Sequence, residues 1–150
     1  MSKQKRCVTV RIWGGMGNQL FVYSAARRLA LINDAELYLD HLSGFRDDCF
    51  QREYALHHFS IPQNLVSPRE WLVSCDPYYR AMVRRFARLL PFDQRPYLVE
   101  EQRDFDERLV NLRLRRNVYL EGYWQSARYF KDVEPQIRYD LKMVMPPDPD

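Results

Sequence analysis

Two groups of residues in this chain have the types and spacing that binding chemistry needs. The first is Gly14-Gly15-Met16-Gly17-Asn18-Gln19. Glycines let backbone N–H groups close on a diphosphate, and a helix that starts there adds the positive end of its dipole. The amides of Asn18 and Gln19 can each donate and accept, which suits the hydroxyls of a sugar nucleotide. The second group is Tyr123-Trp124-Gln125. Sugar C–H faces stack on aromatic rings while an amide grips the hydroxyls; either ring, taken singly, reads equally well as core. Asp40 and Glu121 are the candidate general bases, each at the end of an expected strand, and each also readable as structural.

Other chemistries are open or weak. Gly15-Met16-Gly17 supplies two positions of a dinucleotide-binding fingerprint, but Leu20 takes the third place, where a small residue packs helix on strand. Asp40 stands at the spacing for a ribose contact, so a nicotinamide-nucleotide fragment is one alternative. A tight turn that holds no ligand is another. His57 and His58 are adjacent and cannot chelate one metal together, and His41 is alone. Cys7, Cys49 and Cys75 are odd in number and form no C-x-x-C pair, so they read as small apolar residues or spectator thiols, with no zinc site.

The elements that must position these groups follow from periodicity. Residues 7–13 alternate β-branched with polar residues, a first strand. Residues 18–32 carry apolar residues at Leu20, Phe21, Ala25, Leu29 and Ile32, a helical repeat. Residues 36–40 are a second strand, which completes a β-α-β unit of the kind that opens a nucleotide-binding α/β domain. Residues 41–61 are irregular, with Pro62 and Pro68 beyond them. Residues 78–90 form an amphipathic helix stopped by Pro91. Short strands are expected at 97–100 and 118–120, with a short helix at 105–114 between them. Ser126 caps a helix running toward Leu141 that Pro135 breaks or kinks. Residues 145–150 are a proline-rich exit, the start of a linker.

With 150 residues and 46% of them apolar, the chain has the material for one domain with its own core. No apolar run approaches the ~20 residues of a bilayer span. No apolar core of about 7–15 residues follows the basic first residues, so a cytoplasmic location is expected. A net charge of +3 is too small to imply nucleic acid. Arg80, Arg84, Arg85 and Arg88 form one helix face, most simply a solvated one. Contact with an anionic inner-membrane face is the second reading, because Met82, Phe86, Leu89 and Leu90 lie opposite.

Three blocks in order resemble the glycosyltransferase family 11 α-1,2-fucosyltransferases. Gly14 to Phe21 is similar to that family's G-G-x-G-N-Q-x-F opening, with Tyr23 and Ala26-Arg27 following. Arg52-Glu53-Tyr54-Ala55-Leu56-His57-His58-Phe59 resembles its R-E-Y-x-L-x-x-F segment. Tyr119 to Ser126, with Tyr129-Phe130, resembles Y-L-x-G-Y-W-Q-S-x-x-Y-F. The resemblance implies the Rossmann-like N-terminal domain of a two-domain GT-B enzyme that transfers fucose from GDP-fucose to the 2-hydroxyl of a galactoside, with inversion and without metal or other cofactor. Gly14, Gly15, Met16, Gly17, Asn18 and Gln19 would face the donor, and Tyr123, Trp124 and Gln125 the acceptor. The family's H-x-R-R-x-D motif, which carries the diphosphate-binding arginine, is absent; Leu112 to Asn117 lacks its His and Asp. The C-terminal donor-binding domain is therefore expected to be missing, and the chain alone to be inactive. A glycan-binding module without catalysis is the further alternative.

Overall fold

A computed structural model describes residues 5–67, 69 and 76–144. Cys75, Pro68 and the proline-rich stretch 145–150 lie outside the described residues. Strand β1 (Cys7–Arg11) leads through the glycine turn into α1 (Met16–Ile32) and then β2 (Glu36–Asp40). Next come α2 (Pro77–Ala87), β3 (Tyr97–Val99), the single turn α3 (Glu107–Val110), β4 (Val118–Glu121) and α4 (Glu134–Asp140). The four strands are all parallel, in the order β2-β1-β4-β3, so β1 and β4 lie at the centre. The architecture is α/β and compatible with a Rossmann-like fold.

The two sheet faces differ because successive side chains of a strand alternate. Val8 and Val10 point to one face with Leu39, Leu98 and Leu120, all fully buried, and α1 covers them with Val22, Ala26, Leu29 and Ala30. The other face is polar and aromatic. Register places Tyr38, Thr9, Tyr119 and Tyr97 in one row across the sheet, and Asp40, Arg11 and Glu121 in the next. Tyr97 stacks on Tyr119 with ring centroids 4.9 Å apart. Burial first, then the nearby Asp40 carboxylate, pushes the Tyr119 hydroxyl far above its usual range.

Several boundaries differ from the periodicity reading. Strand β1 stops at Arg11, because Ile12 and Trp13 already belong to the turn, and the 105–114 helix shrinks to four residues. Beyond Ser126 the chain makes two short 3-10 turns before α4 begins. Pro135 sits in the first turn of α4, where its missing N–H costs nothing, so it starts that helix. Helix α2 starts one residue before the 78–90 reading and ends at Ala87, three residues short of it, capped by the Asp76 carboxylate accepting from the N–H groups of Tyr78 and Tyr79.

Candidate functional site

The glycine turn and the Tyr123 segment meet at the carboxyl ends of the two central strands, where ligands of α/β sheets bind. Gly14 leaves β1 at φ +76°, a left-handed backbone. A Cβ there would stand 2.8 Å from Asn18 Nδ2 and 3.3 Å from Tyr123 Cε1. Gly15 and Gly17 face open space, with nothing within 4 Å of an added Cβ. No side chain caps α1 at Gly15, and its first turn carries no acidic residue. Met16 and Gly17 are exposed and Asn18 half-exposed. The positive end of a 17-residue helix thus opens toward solvent beside two unobstructed glycines.

On the β4 side, Trp13 stacks on Tyr123 at 4.3 Å and 10°, and its Nε1 donates to the Gly122 carbonyl at 3.0 Å. The Arg11 guanidinium lies 5.0 Å from the Trp13 ring. Gln125 Nε2 donates to Asn18 Oδ1 across the seam, so the second group is tied to the first. Glu100 fixes the bend, its two carboxylate oxygens accepting from the N–H groups of Tyr123 and Trp124 at 2.7 and 3.0 Å. A side chain at Gly122 would come within 2.5 Å of Glu100 Cβ.

Not every residue singled out from the sequence faces this seam. Gln19 is 1% exposed. Its Nε2 donates to the carbonyls of Gly14 and Glu53 at 2.9 and 2.8 Å, and its Oε1 accepts from Ala55 N–H at 2.8 Å. The amide is used up in clamping the 53–55 segment to the glycine turn. Trp124 is 0% exposed, at φ +49°, edge-on to Tyr129 in the core, with no surface for a sugar. Asp40 is fully buried and accepts from Leu42 N, Ser43 N, Ser43 Oγ and Tyr119 OH, so it holds the turn after β2. Glu121 accepts from Arg11 at 3.1 Å, from Arg84 at 3.5 Å and from the Tyr97 hydroxyl. Both carboxylates fill the charged row across the sheet with Arg11, and Glu121 also lines a cleft with Arg80 and Arg84.

Sequence reasoning missed Arg11, Trp13, Asp47 and Arg52. They line, with Gly14, Asp48 and Tyr123, a cleft of about 260 Å³. Through Arg11, Ser43 and Asp47 it adjoins a second cleft of about 430 Å³ that Arg46, Arg80 and Arg84 also line. Arg52 pairs with Asp48, and those hydrogen bonds hold the Asp48 carboxyl down at about 2. Asp47 is the exposed carboxylate shared by both clefts. The only local signal was the Arg52 block, since the 41–51 loop has no periodicity. Among the described residues, no group of three or more His, Cys, Asp or Glu is placed to hold a metal ion. No helix among them is long and apolar enough to cross a membrane.

Fold and site together define an α/β domain with a solvent-facing glycine turn at the carboxyl ends of the central strands of a parallel sheet. No family model matches the chain, and no solved structure does. The chain is 23% identical over 131 residues to an alpha-1,2-colitosyltransferase of Escherichia coli. The alignment covers 87% of this chain and 43% of that enzyme, so the chain spans less than half the length of this relative. What the chain resembles is a sugar-transferring enzyme, which supports a role in glycosyl transfer.

Proposed function

We propose that the chain is the N-terminal part of a GT-B glycosyltransferase, a galactoside α-1,2-fucosyltransferase that uses GDP-fucose. The observation that carries the reading is the convergence of Gly14 to Asn18 with Trp13, Tyr123 and Gln125 on one seam, although they lie about a hundred residues apart in sequence. In this reading the open N-terminus of α1 and the bare edges of Gly15 and Gly17 receive the sugar nucleotide. The Tyr123 ring and Gln125 amide receive the acceptor galactose. The acceptor 2-hydroxyl attacks the anomeric carbon from the side opposite GDP, and its configuration inverts. Charge grows on the departing diphosphate, and fixed cationic groups stabilise it. In this reading Asp47, the exposed carboxylate on both clefts, takes the hydroxyl proton, since Asp40 is fully buried on internal partners and Glu121 is paired with Arg11. Further cations would be supplied from beyond the aligned 131 residues, which are 43% of the relative's length, and no turnover is expected from these 150 residues alone.

The experiment is transfer by the full product of the gene, with GDP release followed over a panel of galactosides. Tyr123→Ala and Gln125→Ala are expected to raise the acceptor KM, and Asn18→Ala the donor KM. A colitosyl donor is tested beside the fucosyl one, because the relative is a colitosyltransferase. Donor turnover on no galactoside, or an acceptor KM indifferent to Tyr123, would refute the assignment. Galactoside binding without any response to GDP would favour a glycan-binding module.

A further inference from the structure

Helix α2 is mounted with arginines facing inward. Arg80 is 8% exposed, and Arg84 turns toward Glu121 at 3.5 Å, with Val83 and Ala87 completing the inner stripe. This corrects the expectation that Arg80, Arg84, Arg85 and Arg88 share one outward face; only Arg85 and Arg88 are exposed. The cause is the sheet below, whose face on this side presents Thr9, Tyr119, Arg11 and Glu121. A polar floor accepts guanidinium groups better than methylenes.

The apolar stripe therefore faces out. Tyr78, Met82 and Phe86 follow one another at helical spacing, Leu89 continues the line in the turn just beyond α2, and Tyr78, Phe86 and Leu89 are 87, 61 and 78% exposed. Tyr79 and Leu90 widen the ridge. A surface helix ordinarily turns such a stripe to its own core. A contiguous exposed ridge of this kind marks an interaction surface.

Charge selects the partner. Arg85 and Arg88 flank the ridge, and neither makes an ion pair among the described residues. No acidic residue occurs between Asp76 and Asp93. Two tyrosines stand at the start of the helix, with an apolar body and a polar tip that suit a water–hydrocarbon boundary. An apolar ridge with a purely cationic margin matches a surface that is apolar within and anionic at its edge.

We propose that α2 lays the Tyr78-Met82-Phe86-Leu89 ridge into an anionic lipid bilayer, with Arg85 and Arg88 on the lipid phosphates. The inner arginines of the same helix line the larger cleft beside the candidate site, so docking holds that cleft behind α2, one helix diameter (~10 Å) from the membrane surface. The docking stands apart from the proposed reaction; the consequence that a lipid-carried glycan becomes the acceptor rests on it.

The test is co-sedimentation of the chain, and of the full gene product, with phosphatidylglycerol–phosphatidylcholine vesicles and with phosphatidylcholine alone. Binding is expected only to the anionic vesicles, weakening with salt. Arg85→Ala/Arg88→Ala should lower the partition by roughly ten- to thirtyfold, at about fivefold for each cation near the surface. Phe86→Ser/Leu89→Ser should abolish binding, with melting temperature and circular dichroism unchanged because both residues are exposed. No binding to anionic vesicles overturns the proposal. So does equal binding to both vesicle types, or self-association through the ridge without vesicle binding. Failure of the full gene product alone would overturn it as well, by showing that another part of the chain covers the ridge.

Discussion

Gln19 offers the sharpest test of how the candidate site is built. From its type and place it should touch the donor; in the structure it is 1% exposed and its amide makes three hydrogen bonds to backbone at 2.8–2.9 Å. Gln19→Ala would leave two carbonyls and one N–H without their partner. Each such loss costs about 1 kcal/mol where water can replace the amide and up to ~3 where it cannot. Gly14 O is buried while the Glu53 and Ala55 contacts are part-buried, so the sum is about 3 kcal/mol. For a chain of 150 residues that corresponds to a fall in melting temperature of roughly 6–12 °C. Gln19→Glu is the informative companion. It keeps an acceptor for Ala55 N–H but turns a carboxylate oxygen on the two carbonyls, and should cost at least as much. Equilibrium urea unfolding with a constant m-value is the assay. A loss under about 1 kcal/mol in Gln19→Ala, together with weakened nucleotide binding, would refute the clamp and restore Gln19 as a ligand contact.

Other outcomes follow from the same geometry. Gly14→Ala should destabilise by about 1–3 kcal/mol, from the left-handed backbone and the 2.8 Å approach to Asn18. Gly17→Ala meets nothing and should be neutral or stabilising by up to ~1 kcal/mol as a helix residue, while weakening nucleotide binding if the diphosphate approaches there. Tyr123→Ala should spare stability to within about 1.5 kcal/mol, its stack on Trp13, and remove galactoside affinity; Trp124→Ala should cost about 3–5 kcal/mol as a core deletion. The Asp48 carboxyl lies at about 2, below its ordinary 3.8, so the Arg52 pairing contributes stability above about pH 4 and loses it as pH falls through 2. Carboxyl NMR of Arg52→Ala should find Asp48 raised part of the way to its ordinary value, because the backbone N–H groups of Arg52 and Phe50 still donate to it; an unchanged titration would show that the Arg52 guanidinium is not the main cause.

Much of the fold was legible because its signals are local. The alternation of residues 7–13, the helical repeat of 18–32 and the glycines between them specify β1-α1-β2 from short-range sterics and amphipathic spacing alone, with β1 ending two residues early. Pro135 misled because the same residue breaks a helix interior and starts a helix, and its neighbours did not say which. The motif residues divided in a way that spacing could not reveal. Tyr23 donates to Asp140 and Arg27 pairs with it, tying α1 to α4, while Tyr129 OH accepts from Asp106 N–H. Gly15, Gly17, Asn18, Tyr123 and Gln125 kept their surface.

By itself, the sequence determined where the first strands and helices and the glycine turn between them would fall, since these depend on residue type and near neighbours. Tertiary structure alone decided which of the candidate residues reach solvent. The insertion of β4 between β1 and β3 brings Tyr123 to the glycine turn and buries Asp40 and Glu121 in a row with Arg11. The same insertion builds the polar sheet face that turns α2's arginines inward and its apolar ridge out. Burial is a property of partners that lie about a hundred residues apart along the chain, and no window of local sequence contains them.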